Sequence, residues 1–369
     1  MTLRLRKVVV KPLQKLAYLM LLMFSIPAFS LSVDGLYSAQ VEIKDQSVAQ
    51  VLRAKKLGLA QVIVKVTGQS QSLNKSRIRV ALTNAEAYLQ RFSFNTTELP
   101  NGQSQALLEL AFDKQLVDQL VAESGLPIWG TDRAAVLVWL VEDKQGTRKI
   151  INDNSHPMVA QIMAQANQRG MPLLWPLLDL EDQLTINPGA LWGLFRGPIK
   201  RASGRYQADA ILVGRVFQDS QQLWSVEWNF WLDQVEQKWS SQGADLATLV
   251  DPLQERVSAS LVAKFALSTQ LNSPVDKVSK SVLLQVDQVT QIDDYAELLS
   301  MLQTIAGIDR VQLHSANGTS LKFRLFAQSN LGQIKSVIDL KRRLQAVQSQ
   351  TSAPSGDSSD GLLWHYFWQ

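Results

Sequence analysis

The chain has 369 residues, 37 Lys and Arg against 33 Asp and Glu, 46% hydrophobic residues and no cysteine. Without cysteine there are no structural disulfides and no thiolate metal sites, so stability must come from packed cores; a mean hydropathy of −0.04 suits a globular chain. Five cations fall in the first fifteen residues with no acid among them, and without them the balance is 32 (37 minus 5) against 33, so the overall basic charge gives no argument for nucleic acid or an anionic membrane as partner.

Those five cations are Arg4, Arg6, Lys7, Lys11 and Lys15, and an apolar run over residues 16–24 follows them. The run falls short of the roughly 20 residues a membrane-spanning helix needs but suits a signal-peptide core of about 7 to 15. Pro27, Ala28, Phe29 and Ser30 then supply a helix breaker and small residues two apart. Cleavage is therefore expected after Ser30, with the mature protein periplasmic; an uncleaved anchor is the alternative. The expected fold class is α+β or α/β, with three small sheet-plus-helix domains in tandem at residues 31–128, 129–268 and 278–347. A flexible tether at 348–360 and an aromatic strand at 361–369 close the chain.

In the first unit Tyr37, Ala39, Val41 and Ile43 alternate as a strand, and Asp45 or Ser47 caps a helix whose apolar residues run from Val48 to Val66 and which stops at Gly68. A second helix is expected over 77–90, a hairpin over 92–99 and 104–112 across Pro100-Asn101-Gly102, and a helix over 114–123 ending at Gly125. The second unit opens with the apolar run 134–141, which reads as a strand buried on both faces. After a turn at Lys144-Gln145-Gly146 come a helix over 158–168, a strand over 173–180, a helix over 190–206 interrupted by Pro198, and a strand over 208–217. Trp224, Val226, Trp228, Phe230 and Leu232 share one face of the next strand, and Trp231 alone breaks the polar pattern of the other. Residues 235–239 pair behind it and 246–265 form a long amphipathic helix. After a polar linker at 268–277, the third unit reads β-α-β-β-α: strands at 282–286, 310–315 and 320–326 and helices at 292–305 and 331–344. The tail alternates Leu362, Trp364, Tyr366 and Trp368 with Leu363, His365 and Phe367, too much apolar area to leave in water at about 1.5–3 kcal/mol per buried side chain. It is expected to fold back as a strand onto a sheet of this chain, with a tail held by a partner as the functional alternative.

The sequence holds little recognisable chemistry. The three histidines, His156, His314 and His365, fall in different elements, and only His156 could serve as the base of a hydrolytic triad. No histidine cluster, phosphate loop or dinucleotide-binding glycine pattern is present, so no cofactor and no metal are expected. Asp179, Glu181 and Asp182 lie where a strand is expected to end, an edge at which ligands bind in α/β sheets. They could bind a cation or act as acid and base on a glycan; alternatively Asp182 or Glu181 caps the next turn or pairs with a nearby cation. Arg196, Lys200, Arg201 and Arg205 supply such cations with no acid between them, forming either an internal ion-pair network or a site for an anionic envelope polymer. Trp192 and Trp231 are expected to be exposed and available to stack on sugars or a partner. Arg215 and Trp368 complete the candidate set.

Residues 59–68 (LAQVIVKVTG), 134–141 (AAVLVWLV), 172–182 (PLLWPLLDLED) and 206–215 (YQADAILVGR), in that order, resemble an exported proteobacterial family known as a domain of unknown function, number two thousand and sixty-six. The resemblance implies periplasmic placement and assigns no catalytic residue. More loosely, the segment ending at Arg215, followed by a strand hairpin and a long helix, is similar to the periplasmic domains of penicillin-binding-protein activators and curli-secretion lipoproteins. That similarity implies partner binding without catalysis, and the chain departs from those proteins in lacking a lipid-anchor cysteine. Three functions follow as expectations: a periplasmic adaptor binding an envelope protein or anionic polymer, a glycan-active hydrolase using Asp179 or Glu181, and a scaffold without a ligand site. Nucleic acid is not an expected partner, and the membrane is one only in transit, through the leader.

Overall fold

The computed structural model describes residues 33–98, 104–153, 155–267, 280–327, 329–347 and 362–369. The leader, the turn at 100–102, the linker at 268–277 and the tether at 348–360 lie outside the described residues. Residues Leu31–Gln369 form one compact unit, built as a mixed α+β protein around three sheets among the described residues.

The first sheet is antiparallel, in the order β1 (Ser38–Glu42), β3 (Ser104–Phe112), β2 (Leu89–Glu98). Across it packs α1 (Val48–Thr67), its N-terminus capped by Ser47 and its C-terminus by Gly68 at φ 69°. Gly68 is required twice over, by its left-handed backbone and because a Cβ there would lie 2.6 Å from Trp129 and 2.7 Å from Val262. Leu59, Val62, Ile63 and Val66 bury against Leu108, Leu110 and Phe112. The helix expected over 77–90 is shorter: α2 (Ser76–Thr83) stops at Asn84, and a 3-10 turn over Ala85–Tyr88 leads into β2. Nine residues of β2 are drawn into pairing with β3, and that ladder overrides local helix preference. The helix α3 (Lys114–Glu123) is capped by Asp113.

The second sheet runs β5 (Thr147–Ile151), β4 (Val136–Lys144), β7 (Ala210–Gln218), β8 (Trp224–Leu232), β9 (Val235–Gly243). Only β4 and β7 are parallel along their length, and the two-residue β6 (Leu173–Leu174) adds to the start of β4. One face packs on α4 (Pro157–Arg169) and α8 (Asp251–Phe265); the other carries α5 (Leu180–Thr185), α6 (Pro188–Trp192) and α7 (Arg196–Gly204). This double cover explains the unbroken apolar run of β4. Gly214 lets the sheet close: a Cβ there would meet the Trp228 ring at 2.4 Å and Leu140 at 2.7 Å.

Several expectations for this unit are corrected. The strand at 173–180 is cut to two residues, because Pro176 follows and Leu178 turns through φ 53° into α5. The helix over 190–206 breaks at Gly193–Phe195, where Leu194 has φ 53°; Pro198 sits harmlessly in the first turn of α7. The polar β5 was missed. Trp231 is 4% exposed, since the face that reads as polar is covered by helices.

The third sheet has the order β11 (Ile308–Asn317), β12 (Ser320–Ala327), β10 (Lys280–Asp287), β14 (Leu363–Trp368), β13 (Leu344–Ala346). The helices α9 (Ile292–Thr304) and α10 (Leu331–Asp339) contribute Leu298, Leu302, Ile334 and Ile338 to its core. The tail does fold back, as β14, parallel to β10 and antiparallel to β13. Trp364, Tyr366 and Trp368 are buried there, so Trp368 is a core residue and not a free aromatic surface. The helix expected over 331–344 ends at Asp339, because the chain beyond it turns to supply β13 as the tail's outer neighbour.

Contacts tie the three sheets together. Arg133, buried, donates to the carbonyls of Lys65, Trp129, Gly130, Arg169 and Gly170 at 2.6–2.9 Å. Ile128 and Leu267 exchange backbone hydrogen bonds at 3.0 and 2.9 Å. Lys341 pairs with Asp132 at 2.5 Å, and Arg342 donates to the carbonyl of Gln207 at 2.7 Å. Among the described residues no helix is long and apolar enough to cross a membrane.

Candidate functional site

The structure brings the predicted carboxylates together with one of the four predicted cations, Arg205, at the N-terminus of α5. Asp179 is the cap of that helix, accepting from the Asp182 amide at 3.1 Å. Arg205, just past α7, grips Asp179 with both terminal nitrogens, at 2.6 and 2.8 Å, and reaches Asp182 at 3.3 Å. Asp182 is 1% exposed. Its Oδ2 accepts from the Leu178 amide at 2.9 Å and from the Tyr206 hydroxyl at 2.5 Å. Glu181 stands 3.6 Å from Arg205 and is open to solvent.

Electrostatics follow from these bonds. The Arg205 guanidinium, and then the Asp182 amide, hold the Asp179 carboxyl down to about 2. Burial, and then the bond to Asp182, push the Tyr206 hydroxyl up to about 12. Asp179 thus stays ionised at neutral pH and cannot donate a proton as a general acid, and the oxygens of Asp182 are taken by the protein itself. The group works as a knot joining α5 to α7: a cap, a cation pair, and the Tyr206 hydroxyl and Leu178 amide on the buried Asp182.

The other candidates fall elsewhere. Trp192 is half-buried, with the Arg148 guanidinium 4.6 Å and that of Arg215 5.8 Å from its ring centroid. Arg215 also donates to the Trp192 carbonyl at 2.8 Å and pairs with Glu227. Arg196 lies over the buried Trp231 ring at 5.7 Å. Arg196, Lys200 and Arg201 are exposed, and among the described residues none of the three has a carboxylate partner. The same segment exposes Leu177 at 67%, Leu180 at 71%, Leu184 at 79% and Phe195 at 60%, which makes it an apolar and cationic surface. Its apolar half is absent from the sequence reading, because short helices with outward leucines read as ordinary core stripes.

A second feature, also missed, is a cleft of about 1160 Å³ at the carboxyl ends of the parallel strands β4 and β7, where open α/β sheets bind ligands. Its walls come from the β4–β5 turn, the β7–β8 turn, the chain after β9, and His156 and Pro157 at the start of α4. Glu142 is buried in it, 3.1 Å from the Lys144 ammonium and 3.7 Å from His156 Nε2. Asp143 holds the Gly146 amide at 2.8 Å and the Arg148 Nε at 3.0 Å. Asp219 accepts from the amides of Gln221 and Leu223 at 2.8 and 3.0 Å. In sequence these acids read as ordinary turn residues; only the parallel pairing of β4 with β7 gathers them. Among the described residues no three His, Cys, Asp or Glu side chains converge to hold a metal ion.

The family described as Domain of unknown function (DUF8605) matches residues 31–130. That match bears a different number from the family the four quoted segments resemble and contains only the first of them. No curated protein matches the chain. Among solved structures, the LpoB C-terminal domain from Salmonella enterica is 18% identical, over 30% of this chain and 80% of its own, with a TM-score of 0.21. Lipoprotein GNA1162 from Neisseria meningitidis is 14% identical over 35% and 95%, with a TM-score of 0.20. A formyltetrahydrofolate deformylase from Pseudomonas putida KT2440 is 9% identical over 54% and 91%, with a TM-score of 0.17. Scores this low establish no shared fold, and the chemistry of the site stands on its own geometry.

Proposed function

We propose that this protein is a non-enzymatic binding or adaptor protein of the bacterial periplasm, and that it meets an acidic envelope partner through the outer surface of residues 177–201. One observation carries the reading. Four large apolar side chains, each at least 60% exposed, share the segment 177–201 with three cations that have no carboxylate partner among the described residues. Large apolar side chains left this exposed are candidates for an interaction site. Burying side chains of this size at a contact gains about 1.5–3 kcal/mol each, while Arg196, Lys200 and Arg201 select for negative charge and speed encounter. The knot of Asp179, Asp182, Arg205 and Tyr206 supports this role by holding α5 against α7, so that the surface is presented on a fixed frame.

Photo-crosslinking in living cells from a probe at Leu184 tests it. One discrete protein adduct, lost when Arg196, Lys200 and Arg201 are changed to Glu, supports an acidic protein partner, and a ladder of polymer adducts supports an anionic polymer. No adduct from either Leu184 or Leu180 overturns the assignment of this surface.

A further inference from the structure

We infer that the cleft at the carboxyl ends of β4 and β7 binds an organic polycation, an amine-bearing chain of the size and charge of spermidine. Four carboxylates line the cleft, those of Glu142, Asp143, Asp219 and Asp245, against the Lys144 ammonium and the Arg148 guanidinium that pairs with Asp143 from the rim; four minus two leaves an excess of two negative charges. A concave site lined by one sign of charge focuses its field and concentrates the opposite sign, so anions are repelled and neutral solutes gain nothing. The volume of about 1160 Å³ exceeds the usual range for compact ligands, about 300–1,000 Å³, and favours an elongated one.

Two features point to an organic cation over a bare metal ion. Phe217 and Trp224 line the same cleft, half-buried, and offer methylene contacts and ring faces that attract ammonium groups. The rim already holds cations in this way: the Arg148 guanidinium lies 4.6 Å from the Trp192 ring, and the Lys144 ammonium lies 3.1 Å from the buried Glu142 carboxylate. A ligand amine would repeat a contact that the chain's own lysine makes. The carboxylates are spread over the end of β4, the β7–β8 turn and the chain after β9 and do not converge, which suits amines spaced along a chain. This inference is independent of the contact surface at residues 177–201.

The test is calorimetric titration of spermidine into the purified protein at low ionic strength, with tryptophan fluorescence as a second readout. Saturable one-to-one binding is expected, weakened about tenfold by Glu142→Gln with Asp245→Asn through loss of two nearby charges and unchanged by Leu184→Asp. Asp245→Asn alone keeps the test open should the double variant unfold, because an asparagine oxygen can still accept from the Ala247 amide that Asp245 holds at 3.0 Å. No saturable binding, binding indifferent to Asp245→Asn, or equal affinity for magnesium ion would each overturn the assignment.

Discussion

Among the described residues no carboxylate pairs with the buried Arg133, and burial pushes its pKa down. Its charge is held by five backbone carbonyls, of which that of Lys65 lies in the last turn of α1 and those of Arg169 and Gly170 lie at the end of α4. Both helices direct their negative dipole ends at it, and the Trp129 ring stacks on the guanidinium at 4.1 Å. A lysine has three donors on a point charge and cannot span this fork. Arg133→Lys is expected to cost about 3 kcal/mol or more by leaving carbonyls unmet, read as a fall in the urea midpoint at unchanged slope. Asp179 gives a pH signature. Its folded value near 2 lies below the unfolded value of about 3.9, so its contribution is present above about pH 4 and lost as pH falls through about 2. The urea midpoints of the wild type and Asp179→Asn should therefore differ at neutral pH and converge between pH 4 and pH 2. An acidic cap and a cation pair in this group were legible, but the sequence pointed to Asp182 or Glu181 as the cap; it falls on Asp179 because the chain turns at Leu178 and the helix begins at Leu180. The burial of Trp231 was not, since alternation along one strand does not say whether its second face is covered.

Among the elements, β14 shows most clearly what a sequence pattern conveys. Alternating aromatics announce a strand, and the caps at Ser47, Gly68 and Gly170 mark helix ends where they fall. What alternation omits is the neighbour. The tail enters the middle of its sheet, between β10 and β13, and the strand that flanks it was hidden in an apparent helix end. Residues 340–346, LKRRLQA, are all good helix formers, and pairing of 344–346 with the tail overrides that preference. Trp364→Ala should cost about 3–5 kcal/mol by opening a cavity. Tyr366 donates to Asp339 at 2.6 Å, so Tyr366→Phe should cost about 1–2 kcal/mol. Both are measurable by chemical denaturation. Truncation after Val347 removes the whole strand and leaves β10 and β13 with bare edges, and such edges recruit other chains. The truncated protein is expected to lose near-ultraviolet dichroism and to aggregate on concentration.

At the scale of the whole molecule, three sheets with four hydrophobic clusters need not unfold together; whether they do depends on the contacts between them. Gly68 brings the end of α1 against Trp129 and Val262, Arg133 joins α1 to α4, and Ile128 pairs with Leu267. Lys341 and Asp132, both largely buried, close the junction with the third sheet at 2.5 Å, reinforced by Arg342 on Gln207. The chain should therefore melt in one calorimetric transition, with calorimetric and van't Hoff enthalpies equal. Lys341→Met leaves Asp132 without its partner, and breaking a buried pair on one side costs about 3–5 kcal/mol. That cost is comparable to what one junction supplies, so the variant should split the transition in two, with the third sheet melting first. Adding Asp132→Asn relieves the stranded charge and should move the two transitions back together. A wild type that already melts in two steps would show that the junctions transmit too little energy to make the sheets one cooperative body.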